Sequence, residues 1–242
     1  VTGVQTCALP ICLFGDDVDK LDIPGMEAFT ISKYAINVFQ DWKPEEVPMR
    51  PEAAAIVKRR NSPGGEALPS THCLPLGIPL ATNVSEYSKI VQTPNLTMII
   101  LELNNSYRQI YTDGRKLPAD PSPAWLGYSV GHWEGDVFVV ESAGFNDKGW
   151  LDIIGHPQSE SMKITERYHR RDFGHLDIEV QFDDPKMYTK PFSIKVTHEL
   201  HADQDVLEYI CNENEVDRKH MGLTPDRKST RLNSSHTDIS RM

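Results

Sequence analysis

The segment Gly127-Tyr-Ser-Val-Gly131 has the G-x-S-x-G spacing. In hydrolases that spacing holds a nucleophilic serine on a sharp strand-to-helix turn. Here Ser129 is followed by His-Trp-Glu-Gly-Asp and then by the β-like Val-Phe-Val-Val, so no helix follows. The spacing therefore reads as a glycine-flanked strand in a tightly curved sheet. A second arrangement carries more chemistry. Extended backbone through 164–169 puts Ile164, Glu166 and Tyr168 on one face and Thr165, Arg167 and His169 on the other. If Glu166 faces the interior it needs a partner, because desolvating a lone carboxylate is costly, and Arg108 on another strand can serve. Such a pair orients a polar ligand group or acts in acid/base catalysis; the plainer alternative is a salt bridge at a barrel mouth. His156, in His-Pro-Gln-Ser-Glu160, and His132 are the further acid/base candidates beside Glu166.

Aromatic residues are frequent between the strands, among them Trp125, Tyr128, Trp133, Phe145, Trp150, Tyr168 and Tyr209. Side chains of this kind line pockets for organic ligands, with a few polar groups converging, and they also fill cores. The residues singled out for ligand binding are Arg108, Trp133, Trp150, Glu166, Arg167 and Tyr209. The histidines are scattered, and none shows the His-Glu-x-x-His spacing that aligns two metal ligands on a helix, so no metal site is assigned. The acidic cluster Asp16, Asp17, Asp19 and Asp22 lacks the glycine and distal glutamate of a calcium loop and reads as a solvated turn. Phosphate-binding glycine loops and Cys-x-x-Cys pairs are absent, and no cofactor is expected. Cys73 and Cys211 are either a disulfide in an exported protein or two separate buried thiols.

These residues need elements to position them. A helix is predicted at Pro51–Arg60, where Pro51 suits a helix start and Lys58 to Arg60 complement the C-terminal dipole; 31–39 also has a helical look. Asn61-Ser-Pro-Gly-Gly breaks the chain, and the prolines through Pro79 suggest an extended strap. From Lys89 onward short strands are predicted at 89–93, 97–103, 106–112, 127–133, 136–142, 162–169, 176–182, 193–199 and 206–211. Leu176, Ile178, Val180 and Phe182 alternate with polar residues, the period of a half-buried strand. Asn104-Asn105 and Glu134-Gly135 fall where hairpin turns are wanted, and Asp183-Asp-Pro-Lys is a further turn. The expected fold is mostly β: an antiparallel meander closing into a lipocalin-like barrel, with an N-terminal helical and extended strap.

Both ends of the chain resemble translated sequencing adapter. One back-translation of residues 1–11 has a reverse complement that encodes 226–236, a relation two unrelated protein termini do not share by chance. Such segments are set aside from fold reasoning. The expected organisation is adapter at 1–11 and 226–242, a strap at 12–79 and a β-rich domain at 80–225. True ends are then expected to be missing, and absence of a signal peptide carries no information. Four of the 25 Lys and Arg residues and two of the 35 Asp and Glu residues lie in these stretches, so the net charge moves from −10 to −12 without them. An acidic chain has no electrostatic grip on phosphate backbones or anionic lipid, so nucleic acid and membrane surfaces are poor partners. No apolar run approaches the roughly 20 residues needed to span a bilayer.

A second resemblance covers roughly 73–214. The segments YTDGR (111–115), GHWEGD (131–136), GFND (144–147) with Trp150, TER (165–167), DPK (184–186), YTKP (188–191) and EYICNE (208–213) resemble those of a family of exported bacterial hypothetical proteins. The resemblance implies a periplasmic or secreted protein and supplies no chemistry. The functional expectation is binding of a small apolar or amphipathic molecule in a barrel cavity. The alternative is an isomerase, cyclase or hydrolase using acid/base residues in that cavity.

Overall fold

Alternation of large apolar with polar residues produces the strands. In β9 (Lys163–Arg170) Ile164, Glu166 and Tyr168 are buried, while Thr165, Arg167 and His169 are only partly so. The same period places Ile178, Val180 and Phe182 inside on β10 (His175–Asp183) and Phe192, Ile194, Val196 and His198 inside on β11 (Phe192–Leu200). Here the protein is represented by a computed structural model, which describes residues 10–12, 18–21, 29–84 and 87–211.

Along the chain, β1 (Pro10–Cys12), β2 (Val18–Leu21) and β3 (Phe29–Ser32) precede three helices, α1 (Lys33–Ile36), α2 (Pro51–Arg60) and α3 (Leu80–Asn83). The main sheet follows: β4 (Ser88–Gln92), β5 (Leu96–Leu101), β6 (Ser106–Tyr111), β7 (Tyr128–Glu134), β8 (Val137–Ala143), then β9, β10 and β11. These eight strands lie side by side in sequence order as a curled, mostly antiparallel half-barrel. At its edges Ile11 of β1 stands opposite Ser88 and Leu200. β2 and β3 pair separately. Val1–Tyr209 forms one unit; of the second, Ile210–Met242, only residues 210 and 211 are described.

The expected meander is broken once. β6 and β7 run parallel, with Ile110 opposite Ser129 and Tyr111 opposite Val130. A parallel pair needs a long crossover, and residues 112–127, containing Pro118, Pro121 and Pro123, supply it. The strand expected at 206–211 does not form. Its backbone donors go to side chains instead, Leu207 N–H to Glu102 (2.9 Å) and Tyr209 N–H to Asn105 (2.9 Å). The helix expected over 31–39 is reduced to α1, because the Asn37 side chain accepts the Phe39 N–H (2.9 Å) and turns the chain there. Most of the acidic cluster, including Asp16, Asp17 and Asp22, lies outside the described residues, as do 1–9 and 226–242.

The helix predicted at Pro51–Arg60 is α2, with Pro51 in its first turn. Asn104 and Asn105 both take positive φ (58° and 46°) between β5 and β6, the backbone expected of a tight hairpin. The Asp183-Asp-Pro-Lys turn is held by Asp184, whose carboxylate accepts the N–H groups of Ser159 (2.7 Å) and Lys186 (3.1 Å).

Candidate functional site

The concave face of the sheet is layered by strand register. One end is plugged. Phe182 and Phe192, opposite each other on β10 and β11, stack at 4.9 Å. Phe39 from the strap packs on Phe192 (4.6 Å), Tyr188 (5.8 Å) and His156 (4.9 Å). Asp152 ties this plug down. Fully buried in the β8–β9 connection, it accepts hydrogen bonds from the backbone of Val38 (2.8 Å), Gly155 (2.9 Å) and His156 (3.0 Å). Its Oδ2 also meets His156 Nδ1 at 2.5 Å. The strap is bonded to the same connection by Ile153 N–H to Ala35 (2.8 Å) and Arg60 to Gly155 (2.9 Å).

The next layer is polar and complete. Arg108, on β6, is 2% exposed and faces Glu166, on β9, which is 1% exposed. The guanidinium grips the carboxylate with both terminal nitrogens: Nη1 donates to Oε1 at 2.9 Å, and Nη2 donates to Oε2. Nη2 also donates to Ser142 Oγ (2.7 Å), Nε donates to Ser129 Oγ (3.1 Å), and the Tyr168 hydroxyl donates to Glu166 Oε1 (2.8 Å). Burial alone would lower the Arg108 pKa, but the charge and hydrogen bonds of Glu166 carry it above the ordinary arginine range. Burial, with the Glu166 charge adding to it, raises the Tyr168 phenol well above its usual value. Ser129 is thus a buried hydrogen-bond partner in a strand and not an exposed nucleophile. Gly131 beside it has a structural reason: a Cβ there would lie 2.6 Å from the Phe138 ring and 2.8 Å from Ile110.

Above Tyr168 the interior opens. A cavity of about 160 Å³ is lined by side chains from β4, β5 and β7 to β11 and by the β9–β10 turn. Ile90, Ile99, Phe138, Leu176 and Leu200 give it apolar walls, and Tyr168, whose hydroxyl is already spent on Glu166, also lines it. Trp133 and Phe173, 56% and 74% exposed, stand at the rim with Arg170. Two buried polar residues, Thr97 and His198, share the wall. His198 stands opposite Leu176 on β10. Burial lowers its pKa to about 4 against a hydrogen bond to the Thr82 backbone, so the ring is neutral near pH 7. Its Nε2 has no hydrogen-bond partner among the described residues.

The structure brings Arg108 and Glu166 together, with Glu166 facing inward. Trp133 stands at the cavity rim, so of the six residues singled out for ligand binding it alone lines the cavity. Arg167 is on the outer face, bonded to Glu134 at 2.7 Å. Trp150 is buried with the Arg60 guanidinium 4.3 Å from its ring. Tyr209 is exposed, its backbone bonded on both sides to the Asn105 amide. His156 belongs to the plug, and His132 is exposed, 3.3 Å from Glu134. Cys73 and Cys211 are joined in a disulfide. His198 and Thr97 escaped sequence reasoning. The signal for His198 was present: it continues the inward series Phe192, Ile194, Val196 on β11.

No family model, curated protein or solved structure matches this chain.

Proposed function

We propose that this protein binds a small, mainly apolar molecule in the open end of its curled sheet and does so outside the cytoplasm. The observation that carries this reading is the cavity: apolar walls, an aromatic rim and a floor whose polar groups are already paired. An apolar protein cavity of about 150 Å³ holds one benzene molecule, so the bound part of the ligand is of single-ring size. A longer or more polar tail would leave past Trp133 and Phe173. Closure into a lipocalin-like barrel runs through β1, which pairs with both sheet edges.

Acid/base catalysis has less support. Both Glu166 oxygens are engaged by Arg108 and Tyr168, and His156 Nδ1 is committed to Asp152 beneath Phe39. The Cys73–Cys211 disulfide supports an oxidising compartment, in line with the resemblance to exported bacterial proteins. The test is native mass spectrometry of the protein purified from a cell envelope, combined with titration of small aromatic hydrocarbons followed by tryptophan fluorescence. A co-purifying small molecule, displaced by such a hydrocarbon, is the expected result. Absence of any saturable binding would overturn the reading.

A further inference from the structure

Ile164, Glu166 and Tyr168 occupy the inner face of β9, and the next residue of that face is Arg170, at the cavity mouth opposite Leu176 of β10. Its guanidinium is held by its own turn. Nε donates to the Asp172 carbonyl (3.3 Å), and Nη2 donates to the Phe173 carbonyl (2.9 Å). The Asp172 carboxylate braces the same turn by accepting the N–H groups of Gly174 (2.8 Å) and His175 (2.9 Å). A guanidinium already held in place loses less side-chain freedom when it takes a partner.

The charge balance of Arg170 sets it apart. Arg59, Arg60, Arg108, Arg115, Arg167 and Arg171 each pair with a carboxylate. Arg170 pairs with none among the described residues, and the two acceptors it meets are neutral carbonyls. The N–H groups of its Nη1 end form a planar edge of the kind that carboxylates match. Asp136 is the one carboxylate lining the cavity; its side chain is 84% exposed, and its partner, at 3.4 Å, is His169 on the opposite face of β9 from Arg170.

We propose that the ligand is an amphiphilic carboxylate, with an apolar ring or short chain in the cavity and its head group on Arg170 at the mouth. The proposal rests on the binding reading above and names the class of molecule that reading leaves open. Desolvation favours the same orientation, since a carboxylate at the mouth stays hydrated while one between apolar walls does not. The wall of Ile99, Phe138 and Leu176 then supplies affinity, and Arg170 selects the head group.

The test compares 3-phenylpropionate with 3-phenylpropanamide, a neutral molecule of nearly the same shape, by calorimetry on the full chain. The carboxylate should bind about fivefold tighter at low salt. That preference should vanish in Arg170→Met, which keeps an apolar stem, and survive in part in Arg170→Lys. The unsubstituted protein gives a second readout that does not depend on a variant folding. There the preference should shrink as sodium chloride rises from about 20 mM to about 0.5 M, because an exposed charge pair is screened. Equal or tighter binding of the amide would overturn the role of Arg170 while leaving the binding reading intact. So would a preference that survives in Arg170→Met or ignores salt. Tighter binding of 3-phenylpropylamine than of either would also overturn it and point to Asp136 instead. Failure of all three compounds to bind would overturn both readings.

Discussion

At the scale of single residues, the Arg108–Glu166 pair is the largest electrostatic commitment in the interior. A buried pair is weak evidence of net stabilisation, because two desolvation penalties offset the attraction. Removing one partner is different, since it strands a charge among Ile164, Val140 and Val180. Arg108→Met is expected to lower unfolding stability by roughly 3–5 kcal/mol in urea titrations, and combining it with Glu166→Leu should recover most of that loss. His198 supplies a pH dependence with a definite sign. Its ordinary value of 6.5 drops to about 4 in the folded chain, so between those values the unfolded chain holds a proton that the folded chain refuses. The contribution is full above pH 6.5 and is lost as pH falls toward 4, a change of about 3 kcal/mol at most. Urea midpoints of His198→Phe should lack this part of the acid slope; an unchanged slope would show that another group causes it.

At the scale of elements, the plug depends on Asp152 more than on any helix. α1 is a single turn, and its position comes from bonds to the β8–β9 connection rather than from its own propensity. Asp152→Ala leaves the buried N–H groups of Val38 and His156 without their acceptor, while Gly155 N–H keeps the backbone carbonyl of residue 152 (3.1 Å). We expect a loss of about 3 kcal/mol or more and faster hydrogen exchange at Val38 and its neighbours, with exchange in β9 and β10 least affected. Gly131→Ala tests the close approach of β7 to the Phe138 ring. The added methyl group should cost about 1–3 kcal/mol and shift the Trp133 fluorescence, because Trp133 packs on that ring at 5.1 Å.

At the scale of the whole molecule, the architecture is a curled sheet plugged at one end by the strap and open at the other. The core runs continuously from the plug through Phe182, Ile164 and Val180 to Phe138, so the two ends are mechanically joined by packed side chains. On the sequence argument the adapter-like tail is not part of the natural protein. Deleting 226–242 should leave the thermal midpoint unchanged within about 1 °C in calorimetry. A larger drop would mean that this stretch is part of the folded protein.

The sequence by itself determined the strand ladder. Period-two alternation, the asparagine pair at 104–105 and Gly135 mark out most of β4 to β11, and the same alternation put Glu166 and Arg167 on opposite faces, while the fold decided that Glu166 is the inner one. It also offered Arg108 as a partner for an inward-facing Glu166, because a buried carboxylate demands a cation. These are local or pairwise constraints, legible from residue type and spacing. The parallel pairing of β6 with β7 was not legible, since a proline-rich connection fits a wide loop as well as a crossover. Nor was the separation of the functional candidates, with Trp150 and His156 going to the plug, Arg167 and His132 to the outer face and Trp133 to the rim. Tertiary structure alone decided where packing stops and a cavity begins. That boundary depends on how far side chains from seven strands reach toward one another, and it put His198, a scattered histidine in the sequence, into the buried wall of the cavity.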